Sequence, residues 1–219
     1  ILTVKGQVLK YVSRGGLKLE KALEQFDLTI EDKIMLDIGS STGGFTDCML
    51  QNGATKVYSI DVGYGQLAWK LRCEERVVNL ERTNFRYVTR EQVPDEIDFA
   101  SVDVSFISLK LILPVMHTLL KNGGRSVCLI KPQFEAGKEN IGKKGVVRDK
   151  SVHASVVENI TCFAAENGFK VIGVDFSPIK GPEGNIEYLM YIEKNDEGGM
   201  LWEGSVADLV ERSHENLDK

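Results

Sequence analysis

Two charged side chains stand directly after apolar stretches of the kind that form buried strands. Asp103 ends the stretch 98–103, and Lys131 ends the stretch 125–131. If these stretches are neighbouring parallel strands, their ends meet at one edge of the sheet and bring the two side chains together. A lysine amine beside a carboxylate in such a place is a candidate general base, because neighbouring charges set the proton affinity of an amine. The alternative for each residue alone is an ordinary surface ion pair.

A glycine-rich loop follows another apolar stretch and precedes a helical pattern. The stretch 33–37 ends in Asp37, and the loop runs over residues 39–44. Glycines let the backbone approach a ligand, while the carboxylate can pair with an ammonium group and the loop amides with a carboxylate. This combination suits a cofactor with a zwitterionic amino-acid part, and the alternative is a plain strand-to-helix turn. The candidate contacts are Asp37, Gly39, Ser40, Ser41, Gly43, Gly44 and Phe45.

Two further polar residues extend the candidate cofactor site. Asp61 ends the stretch 57–61, where an acid can accept both ribose hydroxyls of an adenosyl group; its alternative is a helix cap or a solvated loop acid. Asn84 follows the stretch 77–80 and is a candidate contact for adenine, with a plain loop residue as the alternative. The loop departs from the dinucleotide fingerprint GxGxxG because Ser41 stands at its second glycine. An NAD-dependent oxidoreductase is therefore the weaker interpretation.

These residues need a framework of alternating strands and helices to position them. Strand-like stretches alternate with helical stripes up to residue 167, which predicts an α/β fold with a doubly wound, mostly parallel sheet. The last two strands are separated by a short connection and are expected to form an antiparallel hairpin. Seven strands are predicted, at 33–37, 57–61, 77–80, 98–103, 125–131, 168–177 and 186–193.

The composition limits the partners. The chain has 219 residues, is 42% hydrophobic, and carries 27 Lys and Arg against 32 Asp and Glu, for a net charge of −5. A protein that grips nucleic acid with its whole surface is expected to be basic, so DNA binding is not expected and RNA binding needs a local patch. No apolar run approaches the roughly 20 residues that span a bilayer. The four cysteines lack CxxC spacing, which argues against a zinc site or disulfide framework and favours the cytoplasm. They are Cys48, Cys73, Cys128 and Cys162.

Five separated motifs together carry a family resemblance. They lie at 13–19, 37–45, 103–108, 131–135 and 184–187. They resemble the TlyA family, whose members are often labelled hemolysin A and belong with the FtsJ-like RNA methyltransferases. The resemblance implies a Rossmann-like class I methyltransferase fold, S-adenosylmethionine as cofactor and no metal. It further implies 2′-O-methylation of ribose in RNA, with ribosomal RNA or ribosomal subunits as partner and cytidine as target.

The FtsJ-like group uses a Lys-Asp-Lys-Glu tetrad, which the resemblance places at Lys18, Asp103, Lys131 and Glu187. On spacing alone, Lys18 lies on the side of its helix away from the apolar stripe, and Glu187 begins a strand, so both would be solvated charges. In the implied mechanism Lys131 removes or orients the proton of a ribose 2′-hydroxyl, while the other three residues set charge and position. In this mechanism Asp103 also borders the cofactor.

The resemblance also implies a division of the chain. Family members normally carry an upstream S4-type RNA-binding domain, so residues 1–16 are expected to be a leader from such a domain. Residues 17–195 are expected to form the methyltransferase domain, and 196–219 a charged tail with one possible helix. Two other functions are alternatives to RNA methylation: that of a non-catalytic RNA-binding relative and that of a membrane-active hemolysin. The complete tetrad argues against the first, and the lack of an amphipathic or spanning segment against the second. The predicted RNA-binding residues are Arg14, Lys138, Lys143, Lys144 and Arg148.

Overall fold

The apolar stretches form one sheet in residues 9–218, which are the part of the chain that this computed structural model describes. The order across the sheet is β3-β2-β1-β4-β5-β7-β6-β8. The first five strands are parallel, and β7 is antiparallel to both β5 and β6. The strands are β1 (Ile34–Ile38), β2 (Lys56–Ile60), β3 (Val77–Leu80), β4 (Ile97–Val102), β5 (Leu120–Ile130), β6 (Phe169–Phe176), β7 (Tyr188–Lys194) and β8 (Gly199–Met200).

The last strands of the chain have two features that were not part of the predicted seven-stranded sheet. The hairpin of β6 and β7 is confirmed, but β7 lies inside the sheet, between β5 and β6. Its residues 188–192 are buried on both faces, so they form a continuous apolar run rather than an alternating one. The eighth strand, β8, pairs parallel with β6 through only two residues, which is too short for any sequence periodicity.

Helices cover both faces of the sheet and enclose two apolar cores. The helices α1, α2 and α3 pack on one face, and α4, α6 and α7 on the other. This is the doubly wound arrangement that the alternating pattern predicted. The helices are α1 (Gly16–Gln25), α2 (Gly44–Gln51), α3 (Trp69–Arg72), α4 (Leu113–Leu119), α5 (Pro132–Glu135), α6 (Lys150–Glu166) and α7 (Val206–Leu217). Among the residues described, none of these helices has the length and apolar character needed to cross a membrane.

Helix α1 is buried over a wider arc than its apolar stripe. Leu19 and Leu23 are buried in the core, and a fully buried leucine stabilises a fold by about 1.5–3 kcal/mol. Lys18 is also buried, with 6% of its surface exposed. The expectation from spacing alone, that Lys18 faces solvent, is therefore wrong, because the turn before β7 covers that side of the helix. Ahead of α1, Tyr11 is buried against Gly16, where a Cβ atom would overlap its ring.

Candidate active site

The ends of β4 and β5 bring Asp103 and Lys131 together. The two strands pair in register up to Val102 and Cys128, so the residues that follow emerge at the same edge of the sheet. Lys131 Nζ lies 2.5 Å from Asp103 Oδ1 and donates a hydrogen bond of 3.3 Å to Ser105 Oγ. Both Lys131 and Asp103 line the same cavity, so this ion pair faces a ligand site rather than open surface.

Lys18 and Glu187 extend this pair into a row of four alternating charges. Lys18 Nζ lies 2.5 Å from Glu187 Oε2 and 3.8 Å from Asp103 Oδ2. Glu187 is completely buried, because it lies directly before β7 inside the sheet. Burial favours the neutral amine, but the carboxylates of Asp103 and Glu187 outweigh it and hold the pKa of Lys18 above its ordinary value. Lys18 is therefore a fixed cation between two carboxylates.

The turn before β7 is shaped around the Glu187 carboxylate. A Cβ atom on Gly181 would overlap Glu187 Oε1, so any side chain at this position would displace the carboxylate. The Gly181 amide donates to the Asn185 carbonyl, which closes the turn. The expectation from spacing that Glu187 is solvated is wrong, because this turn and α1 enclose it.

The glycine loop crosses the end of β4 at close range. Gly39 has φ +85°, and a Cβ atom there would lie 2.5 Å from the carbonyl oxygen of Asp103. Gly43 has φ +94° and stands at the N-terminus of α2. Both positions therefore require glycine, because the left-handed backbone strains other residues and the space is filled.

Asp37 lies beneath this loop rather than on its surface. Its Oδ2 accepts hydrogen bonds from the Thr46 amide, at 2.8 Å, and from Thr46 Oγ1, at 2.6 Å. Its Oδ1 accepts a bond of 3.3 Å from Ser101 Oγ. Complete burial raises the pKa of Asp37 to about 7. The carboxylate ties β1 to α2 and β4, and it also contributes to the wall of the cavity that contains Lys131.

Asp61 and Asn84 lie on the wall of a neighbouring, larger cavity. Asp61 Oδ2 accepts the Ser41 amide at 2.8 Å, and Oδ1 accepts the Gly63 amide at 2.7 Å. The carboxylate is thus fixed at the rim and keeps lone pairs for further donors. The Asn84 side chain accepts the Arg86 amide at 3.2 Å and so shapes the turn that closes the cavity.

The two cavities share a wall and together make up a two-part cleft. The larger, of about 340 Å³, has apolar sides from Ile38, Ile60 and Phe85 and holds Asp61 and Asn84. The smaller, of about 210 Å³, holds the two lysines and the glycine loop. Of the predicted cofactor residues, Gly43 alone lines neither cavity. The shared wall consists of Gly39, Ser41, Asp103 and Ser105.

Some residues of the cleft had no role in the sequence predictions. Phe106 borders the larger cavity, is 90% exposed and has φ +62°. Its ring centroid lies 4.8 Å from that of Phe134. The available signal was an aromatic residue in the short segment that follows a strand end. Ser13 and Gly15 of the predicted leader also border the smaller cavity, but nothing in their spacing indicated this.

The predicted RNA-binding residues lie on exposed segments of the chain. Arg14, Lys138, Lys144 and Arg148 are exposed, whereas the side chain of Lys143 lies outside the described part of the structure. The loop that carries Lys144 and Arg148 is attached to the Glu187 turn. Asn185 accepts the Val147 amide at 3.1 Å and donates to the Gly145 carbonyl at 3.0 Å.

The fold and the cleft define the class of protein. A parallel sheet with an inserted antiparallel strand, a glycine loop after β1 and an acid after β2 are the features of a Rossmann-like class I methyltransferase, as predicted. The chain belongs to the FtsJ-like methyltransferase family, whose sequence model matches residues 11–194.

Known relatives agree with this assignment. YqxC from Bacillus subtilis is 57% identical over 220 residues, which cover 99% of this chain and 78% of YqxC. The 16S/23S rRNA (cytidine-2′-O)-methyltransferase TlyA from Mycobacterium tuberculosis is 43% identical over 93% of this chain and 75% of its own length. The solved structure of a Streptococcus thermophilus protein described as a hemolysin has a TM-score of 0.94 at 53% identity. That comparison covers 98% of this chain and 78% of the other.

Proposed function

We propose that this chain transfers the methyl group of S-adenosylmethionine to the 2′-hydroxyl of a cytidine ribose in ribosomal RNA, in the cytoplasm. The observation that carries the proposal is the row of alternating charges formed by Lys131, Asp103, Lys18 and Glu187 at one end of a two-part cleft. The name of the M. tuberculosis relative supports the substrate and the target nucleotide. The four cysteines, all free, suit a reducing compartment.

The larger cavity fits the adenosine part of the cofactor. Its apolar walls suit an adenine ring, Asp61 offers oxygens to the ribose hydroxyls, and Asn84 offers an amide to the base. The smaller cavity, which Asp37, Gly39 and Ser40 line, has room for the amino-acid part against the loop amides and Asp37. When bound, S-adenosylmethionine supplies an electrophilic methyl group.

The four charges then act on the ribose hydroxyl. Lys131 removes or orients the hydroxyl proton, which is worth about 10²–10⁴-fold in rate. Asp103 holds the Lys131 amine from one side, and Ser105 holds it from another. Lys18 remains a cation and fixes Asp103 and Glu187, so the amine keeps its position. Holding the hydroxyl in line for attack supplies much of the remaining acceleration.

The substrate side of the cleft suits a nucleotide displaced from its stack. The unstacked bases of single-stranded RNA stack on aromatic side chains. The exposed Phe106 ring offers such a surface beside Lys131. Lys138, Lys144 and Arg148 neutralise phosphates without reading sequence.

The net charge of −5 supports an upstream S4-type module as the main source of RNA affinity. The division of the chain into a leader (1–16), a methyltransferase domain (17–195) and a charged tail (196–219) is also part of this proposal.

The test is transfer of a labelled methyl group to vacant ribosomal subunits, with the modified nucleotide mapped. Lys131→Ala is expected to abolish transfer while the cofactor Kd changes less than about three-fold, and Lys131→Arg is not expected to rescue it because arginine stays protonated. Lys121→Ala, at the opposite end of β5, is the matched control. Full activity of Lys131→Ala would remove this residue from the mechanism. RNA binding without any transfer by the wild-type chain would instead favour a non-catalytic role.

A further inference from the structure

The loop after β4 contacts the segment after β5, which consists of Lys131 and helix α5, at three successive points. At the first point, Lys131 contacts both Asp103 and Ser105. At the second, the rings of Phe106 and Phe134 pack at 4.8 Å with an interplanar angle of 49°. The two segments therefore run side by side, and the exposed Phe106 ring keeps a fixed relation to the Lys131 amine. That amine lies 5.9 Å from the centroid of the Phe134 ring.

The third point is a carboxylate that holds the far end of the loop. Glu135 Oε2 accepts a hydrogen bond of 2.6 Å from Ser108 Oγ, and Oε1 accepts one of 2.8 Å from the Leu109 amide. Both oxygens of this mostly buried side chain are thus used on the β4 loop. Hydrogen bonds to a carboxylate are stronger than neutral ones, so this contact is suited to fixing a loop.

The Phe106 backbone needs such support. A left-handed conformation in a residue other than glycine costs of order 1–3 kcal/mol and persists only where the surroundings enforce it. Phe106 has φ +62°, and its ring is 90% exposed, so burial of the ring does not offset the cost. Contacts on either side of Phe106, at Lys131 and at Glu135, fix the two ends of the segment that carries this conformation.

We propose that Glu135 is a positioning residue, which holds the Phe106 ring beside Lys131 so that the target nucleotide and its ribose hydroxyl enter the cleft in register. Glu135 acts through Ser108 and Leu109 and does not line either cavity of the cleft. The inference rests on the proposed function, and it adds a residue to the substrate side of the site.

The test is a double-mutant cycle between Glu135→Gln and Phe106→Leu, assayed by methyl transfer to vacant ribosomal subunits at saturating cofactor. Glu135→Gln is expected to lower kcat/KM for RNA roughly ten- to hundred-fold, because small displacements of a reacting group have effects of that size. In the Phe106→Leu background the same substitution is expected to change kcat/KM by less than about two-fold, because it acts through that ring. Glu158→Gln, on the exposed side of α6, is the control with the same change of charge.

The outcomes separate positioning from a general structural role. An equal loss in both backgrounds, or no loss from Glu135→Gln, overturns the proposal. If Glu135→Gln does not fold, Ser108→Ala removes one of the two donors and is compared in the same two backgrounds, with the same criterion. A wild-type chain that transfers no methyl group refutes the proposed function. Equilibrium binding of the same subunits is then measured for the four proteins of the cycle. The effect of Glu135→Gln on the Kd in the two Phe106 backgrounds is compared by the same criterion and decides whether Glu135 is a positioning residue.

Discussion

Replacing Lys18 by methionine tests whether the row of four alternating charges is one coupled unit. The Lys18 amine lies 2.5 Å from Glu187 Oε2, and the Glu187 side chain is fully buried. The substitution leaves that carboxylate without its cation, which for buried pairs costs about 3–5 kcal/mol in the free energy of unfolding. Methionine retains most of the apolar stem, so little of this loss comes from packing.

The double variant Lys18→Met, Glu187→Gln separates the charge from the packing. Because removing both charges of a buried pair is often close to neutral, we expect it to recover at least about 2 kcal/mol relative to Lys18→Met. Denaturant unfolding at neutral pH measures both values. The pKa of Lys18 is raised in the folded state, so its contribution is complete below the unfolded pKa of about 10.4 and is lost only as pH rises through the folded value.

A matched control is Lys21→Met, on the same helix, where the lysine is partly exposed and donates to Gln25. We expect it to change the free energy of unfolding by less than about 0.5 kcal/mol. The reasoning is refuted if Lys18→Met costs less than about 1 kcal/mol and the double variant is simply additive.

Three further predictions concern ligands. Asp61→Ala is expected to raise the cofactor Kd roughly ten-fold or more, because ribose hydroxyls lose their acceptor; an unchanged Kd in calorimetry would place the ribose elsewhere. The pKa of Asp37 is raised to about 7, so an ammonium that needs the ionised carboxylate should bind more weakly as pH falls below 7, by up to about ten-fold per unit. Asp37→Asn should abolish that slope, and a slope that survives excludes Asp37. Lys144→Glu with Arg148→Glu should weaken RNA binding and reduce its salt dependence by about one to two phosphate contacts, with cofactor affinity unchanged; an unaltered salt slope would locate the phosphates elsewhere.

The sequence was sufficient for the parts of the site that depend on local pattern. Asp103 and Lys131 follow apolar runs, and the alternation of strands and helices makes those runs parallel neighbours. The glycine loop is likewise recognisable because Gly39 and Gly43 need conformations that other residues avoid. Both features depend on residues that are close together in the sequence, so they can be predicted without knowledge of distant contacts.

Features that depend on distant contacts could not be predicted from pattern. Lys18 and Glu187 have the local surroundings of solvated charges. They are buried because they neutralise each other across 169 residues of sequence, and Asp103 is a second partner of Lys18. Only the family resemblance pointed to them. The insertion of β7 between β5 and β6 likewise depends on pairing partners that the strand's own residues do not specify. The outward position of Phe106 runs against its apolar character, because the contacts of Lys131 and Glu135 enforce it.

The inserted position of β7 affects when the enzyme becomes active during synthesis. Lys18, Asp103 and Lys131 leave the ribosome well before residues 188–194, which must enter between two strands already made. Until then, Lys18 has no Glu187 to pair with, and β5 and β6 have no strand between them. A nascent or truncated chain therefore carries the glycine loop and three of the four charges but not a finished site. Insertion of β7 and completion of the charge row are a single event, so the fold makes activity depend on translation of nearly the whole domain.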